Sequence, residues 1–266
     1  MKRLHFTYEI NLFMSQDVTD HHFQIKCIPM ESGFQHCLSM ECETDPYAAL
    51  TEIEDGFGNK GFYGVITKEH SRLGIKAEGV VDVGGMRYLQ PLPPMYKFQS
   101  AMTHPGPTLD AFYERIGASL PEDISAADKA LFIMNRLFES YAYVGGVTSV
   151  NTTAEEALAL GMGVCQDYAH ILISLLRTAK IPARYVAGLL LGEGATHAWV
   201  EAWADNTWIG LDPTHNRVVD DTYIKLTHGR DFHDGAVDKG HFTGCALQSQ
   251  QIYVKVEEVF DQGRSL

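Results

Sequence analysis

The stretch GMGVCQDYAHILISLL, residues 161–176, sets a cysteine where an apolar helical pattern begins. Val164, Tyr168, Ile171, Leu172, Leu175, Leu176 and Ala179 recur at helical spacing, and Pro182 stops the run. A helix that starts at Cys165 presents its free N–H groups there. Such a terminus lowers the pKa of a thiol, about 8.5 in free cysteine, and aims donors where an oxyanion would form. Gly161 and Gly163 let backbone and substrate approach closely.

A thiol attacks as thiolate, and a neighbouring imidazole is the second device that makes one. His197 is the best candidate. It opens the strand pattern HAWVEAW, with Trp199, Glu201 and Trp203 on its own face, and a second strand pattern runs from Trp208 to Asp212. A hairpin turn centred between Ala204 and Asp205 would set His197 opposite Asp212. One centred on Asp205-Asn206 would shift the partner by two residues and keep both on one face. An odd-length loop would separate the faces. With an even loop, Asp212 can hold the imidazole in its working orientation.

Outward from this centre, the first hundred residues read as strands. In LHFTYEINL, residues 4–12, apolar and polar side chains alternate. HHFQIKCI, QHCLSMEC, GFYGVITK and SRLGIKAEGVVDV follow, with turn signals at Asp55-Gly56 and Gly58-Asn59-Lys60-Gly61. This predicts an antiparallel β-sandwich over residues 1–105. Between Gln90 and Thr108 five prolines predict a linker. Residues 106–266 then change period. Thr108 is placed to cap a helix through Leu109, Phe112 and Ile116, and Ser125 one carrying Ala130, Met134 and Leu137. Thr152 to Glu155 has the form of a capping box before a helix that Gly161 ends. ARYVAGLLL, HAWVEAW, TWIGLDP and QQIYVKVEEVF return to strands.

With 266 residues and 45% apolar content, the chain can bury a full core. Twenty-one basic against 34 acidic residues leave a formal charge of −13. That balance argues against nucleic acid or an anionic membrane as partner. Neither a leader-like apolar run nor a membrane-length apolar stretch is found, and the five cysteines include no CxxC, so a cytoplasmic protein is expected.

Taken in order, GVCQDYAH, IPARYVAG, HAWVEAW and GLDPTH resemble the transglutaminase-core family. More closely, the chain resembles bacterial transglutaminase-like proteins described as cysteine proteases. Those carry an added N-terminal β-domain, which DGFGNKGF and the strands of residues 1–100 resemble, and the tail GRDFHDGAVDKGHFTG fits as well. The resemblance implies an α+β fold, a papain-like transglutaminase core behind the β-sandwich. It also implies Cys165 as nucleophile, His197 as base and Asp212 as orienter. One departure is His215, where the family pattern has asparagine.

Tyr143, Gln166 and Trp199 are candidates for substrate or oxyanion contact, with Tyr141 a weaker one. His170 lies on another side of the helix from Cys165, which favours packing. Asp167 suits the helix dipole, with a substrate-side role as the alternative. His228, His233 and His241 match no zinc spacing, and no metal or cofactor is expected. The chemistry expected is acyl transfer from a peptide or protein amide through a thioester, with hydrolysis favoured. The alternatives are an amine-accepting transglutaminase, or a binding or assembly protein on a vestigial core. The first domain leaves room for homo-oligomerisation.

Overall fold

The alternation that begins at Leu4 does not stop at Leu12. In the computed structural model, which describes residues 1–85, 87–119 and 123–259, β1 (Lys2–Ile25) runs for 24 residues. The sequence reading has two strands here. They join because the chain rounds a bend rather than turning back. Register against the neighbouring strand slips between Phe13 and Val18, and Asp20 takes a left-handed backbone with φ of 47°. β2 (Gln35–Asp45), β3 (Thr51–Glu54), β4 (Lys60–Ile66) and β5 (His70–Val83) follow.

The proline-rich stretch is a strap rather than a loose linker. β6 (Arg87–Tyr88) pairs with Trp208 and Ile209. Proline denies the strap a regular ladder, so side chains fasten it. Tyr96 is buried with its ring edge-on to Trp208 at 5.7 Å. Gln99 donates to the Ser174 carbonyl at 2.9 Å, and Thr103 accepts from Arg177 at 3.0 Å.

Then come the helices. α1 (Pro107–Gly117) buries Leu109, Phe112 and Ile116. Its first N–H groups are capped by the Glu155 carboxylate, which accepts from Gly106, Thr108 and Leu109; Thr108 itself is not the cap. α2 (Ala126–Ser140) starts where the Ser125 hydroxyl accepts the Asp128 N–H at 3.0 Å. β7 (Ala142–Tyr143) precedes α3 (Ala154–Leu160), whose capping box is Thr153 with Glu156, one residue beyond the expected pair; it ends at Gly161 with φ of 72°. β8 (Met162–Gly163) lies parallel to β7. In α4 (Cys165–Thr178) every side chain from Asp167 to Arg177 is buried, so it is a core helix and not a one-sided one.

The remaining elements are β9 (Ala183–Leu190), β10 (Gly192–Gly194), β11 (His197–Ala204), β12 (Thr207–Asp212), β13 (Arg217–Val218), β14 (Tyr223–Gly229), α5 (Phe232–Gly235), β15 (Asp238–Thr243) and β16 (Gln248–Glu258). β13, β12, β11, β9 and β14 lie side by side in an antiparallel sheet, with β6 also on β12 and α4 packed against β11 and β9.

The chain's end returns to its beginning. Before its bend β1 pairs with β5 and β16, and beyond it with β4 and β15. One bent strand thus serves two sets of partners in an eight-stranded antiparallel arrangement. Strands 238–243 and 248–258, from the far end of the chain, belong to this sheet with those of residues 2–83. Two amides close the edge of β14 as peptide groups would. Gln35 donates to the Lys225 carbonyl and accepts its N–H, and Asn59 does the same at His228. One large apolar core joins both sheets and the helices, and a smaller cluster of Phe34, Val186, Trp199, Val219 and Tyr223 lies apart from it. Among the described residues no helix is long and apolar enough to cross a membrane.

Candidate active site

A two-residue turn brings His197 and Asp212 together. Asp205 and Asn206 both take left-handed backbone, with φ of 51° and 62°, the reversal that matches right-twisted strands. Trp203 then faces Trp208 and Val200 faces Leu211. This is the register of a turn centred on Asp205-Asn206, which leaves Asp212 and His197 diagonal on one face.

The His197 Nε2 lies 2.8 Å from Oδ2 of Asp212. The Cys165 thiol is near enough to the ring to act on its pKa. Burial alone would push the imidazole pKa down. The hydrogen bonds and charges of Asp212 and Cys165 outweigh it and lift the pKa to about 9. At neutral pH the ring is therefore an imidazolium.

Asp212 is 0% exposed. Oδ2 takes three donors: His197, the Tyr223 hydroxyl at 2.8 Å and Nδ1 of His215 at 2.7 Å. Oδ1 accepts the N–H groups of Thr214 and His215. Burial opposes the charge, but the bonds from His197, His215 and Tyr223 hold the carboxyl well below the usual carboxylate range. His215 marks the departure from the family pattern, and it occupies the same oxygen as His197. Tyr223 was not foreseen. It arrives from β14, eleven residues on, and nothing local in the sequence signals the contact.

Cys165 starts α4, and the N–H groups of Cys165 and Gln166 have no acceptor inside the helix, as in any first turn. Asp167 fastens this end. Its Oδ2 accepts the Val164 N–H at 2.8 Å and the Thr148 hydroxyl at 2.7 Å. Burial raises its pKa against those two bonds. A side chain on Gly163 would meet Asp167 Oδ2 and the Tyr141 hydroxyl at 2.4 Å each, so this close approach requires glycine.

Of the other expected residues, Tyr143 is 58% exposed and close enough to Cys165 that, after burial, the thiolate charge raises its pKa. Gln166 does not face an oxyanion; its amide donates to the Val150 carbonyl at 3.2 Å. Trp199 is fully buried and cannot touch a substrate. It lies under His197 with ring centres 6.4 Å apart, in space that Gly188 leaves open. Tyr141 is buried with its ring edge-on to Tyr168. His170 is buried too, where it accepts the Phe232 N–H, and burial takes its pKa to about 4. It is a packing residue.

His197, Asp212 and His215 bring three ligand atoms within 4.8 Å of one another, near enough to hold a metal ion. The sequence reading sought a metal only among His228, His233 and His241. As placed, the three groups satisfy one another by hydrogen bonds.

Two family models match this chain. That of the transglutaminase-like superfamily covers residues 112–213 and that of the bacterial transglutaminase-like N-terminal region covers residues 4–82. An uncharacterized protein of Mycobacterium tuberculosis is 29% identical over 245 residues, 77% of this chain and 76% of its own. A protein-glutamine gamma-glutamyltransferase of Pseudomonas aeruginosa is 39% identical over 66 residues, 20% of this chain and 10% of its own. The crystal structure of a proposed cysteine protease from Cytophaga hutchinsonii superposes with a TM-score of 0.80 at 21% identity, covering 99% of this chain and 92% of the other. That likeness is one of fold.

Proposed function

From the premise that the chain belongs to the transglutaminase-like superfamily, we propose that its cysteine-based acyl transfer is hydrolysis of a peptide or protein amide by Cys165, His197 and Asp212. Cys165 attacks the carbonyl as thiolate. The imidazolium of His197 gives its proton to the departing amine, leaving an acyl thioester on Cys165. His197, now neutral, takes a proton from water, and the hydroxide releases the acid. Asp212 keeps the ring oriented and stabilises its cation. The Cys165 N–H is one oxyanion donor, and the Tyr143 hydroxyl is proposed as the second.

One observation carries this reading: His197 sits between the Cys165 thiol and a buried carboxylate that together raise its pKa to about 9. Hydrolysis is favoured over transfer because Cys165 is partly exposed and Tyr143 beside it is more than half exposed. Water therefore reaches the thioester, whereas an amine acceptor needs it excluded.

The test is a peptide library turned over in ¹⁸O-water with a dansylated primary amine present. Hydrolysis gives acids carrying ¹⁸O, abolished by Cys165→Ala. Dansyl adducts without labelled acid would replace hydrolysis by transamidation. Absence of both, with Cys165 inert to iodoacetamide, would leave a binding protein on a vestigial core.

A further inference from the structure

The fifteen residues from Ser140 to Ala154 hold no charged side chain, although 21% of the chain is charged. Apart from Tyr141 and Ala154, this segment is not buried. Tyr143, Val144, Val147 and Val150 are exposed along it, and Leu160 and Met162 are exposed beside it. Exposed apolar groups scattered singly mean little, but a cluster next to a nucleophile marks a binding surface.

The cluster is tied to the start of α4 at several points. Ala142 donates to the Gly161 carbonyl at 3.0 Å, and Val144 to that of Gly163 at 2.8 Å. The Thr148 hydroxyl reaches buried Asp167, and Gln166, the neighbour of Cys165, holds the Val150 carbonyl. Gly146, with φ of 79°, makes the turn between the valines. Each fastening lands within four residues of Cys165. The wall is thus rigid, uncharged and fixed relative to the thiol. Beyond Val150 an open depression lined by Ser149, Asn151, Thr152, Glu156, Ala159 and Leu160 continues the surface, and Glu156 is the one charged residue of that lining.

Resting on the hydrolase reading above, we propose that segment 143–150, with Leu160 and Met162, is the acyl-side subsite, and that it selects uncharged peptides with bulky apolar residues flanking the amide that Cys165 attacks. On a protein of net charge −13, the surrounding field disfavours acidic segments, and segment 143–150 itself offers basic ones no ion-pair partner. Apolar side chains gain by covering exposed valines.

Peptidyl vinyl sulfones test this, since they capture the thiol without a known substrate. A leucyl-leucyl reagent is compared with lysyl-lysyl and glutamyl-glutamyl counterparts, and iodoacetamide reports the thiol alone. The leucyl reagent should label Cys165 at least about 10-fold faster than either charged one, the discrimination a single apolar contact supplies. Val147→Asp and, independently, Val150→Lys should erase that preference while melting within a few degrees of wild type, because both side chains are exposed. Equal rates for the three reagents, with rapid iodoacetamide labelling, would overturn the subsite and leave the hydrolase reading intact. Slow iodoacetamide labelling would overturn the nucleophile, and the subsite with it. A dimer that either variant dissolves, without loss of leucyl preference, would assign the patch to a second copy of the chain and also overturn the subsite.

Discussion

Glu201 and Asp212 are both buried carboxylates on adjoining strands of one sheet, and they do opposite things. Glu201 sits between Arg184 and Lys225, each bonded at 2.6 Å, with the Tyr88 hydroxyl donating to both oxygens. Burial raises its pKa, but the two cations pull it down to about 2. Glu201 keeps Arg184 charged against its burial, whereas burial and the Arg184 charge bring the Lys225 pKa down to about 7; the strap brings Tyr88 and Gln90 to Arg184 over them. Asp212 is as deeply buried, but its partners are two imidazoles and a phenol, groups that can give up or take a proton. One of them, His215, has a side chain 48% exposed. A carboxylate locked among buried basic side chains holds a fold together; one bonded to the imidazole of a candidate base can tune it.

The largest effect expected from separating these roles belongs to the thiol. Cys165→Ala should cut peptide turnover by about 10⁶-fold, as nucleophile removal does elsewhere, with denaturation unchanged. Asp212→Asn should cost about 10²–10⁴ in kcat, and the His197 pKa, followed by NMR, should fall from about 9. A greater loss in Asp212→Asn than in Cys165→Ala would contradict the roles given to them. Glu201→Ala should do the reverse. Unpairing two buried cations should cost about 3–5 kcal/mol in urea unfolding, while surviving folded protein keeps an alkylatable Cys165. A stable Glu201→Ala with a dead thiol would erase the contrast.

Smaller effects sharpen it. The His197 pKa is raised above its unfolded value of 6.5, so its contribution to stability is full below pH 6.5 and is lost as pH rises through about 9. Unfolding free energy should decline across that window, and Asp212→Asn should flatten the decline. His215→Asn, at a half-exposed position, should change turnover by less than about 5-fold, the range of an exposed ion pair.

Local rules carried much of this molecule. Ser125 and Gly161 bound their helices as capping chemistry demands, and an even hairpin loop kept His197 and Asp212 on one face although its centre could be read in two ways. Long-range order escaped. Nothing near Met14 says that β1 continues round a bend, because both halves alternate with the same period. Nothing in QQIYVKVEEVF says that it pairs with residues 4–14, since register between distant strands depends on the whole core. The prolines of 91–107 read correctly as breakers of regular structure, yet breaking a ladder does not prevent packing. Within the site, Gln166 and Trp199 were read from their neighbours in sequence. Their side chains point to the Val150 carbonyl and into the core, directions that sequence spacing alone does not fix.

The most direct test of the account is the rate of iodoacetamide alkylation at each of the five cysteines against pH, read by peptide mass spectrometry in wild type and His197→Ala. Cys165 should react at pH 6 well ahead of Cys27, Cys37, Cys42 and Cys245, and should lose that lead in His197→Ala. If Cys165 reacts no faster than the others, or keeps its reactivity without His197, the imidazole does not activate the thiol and the proposed chemistry is wrong.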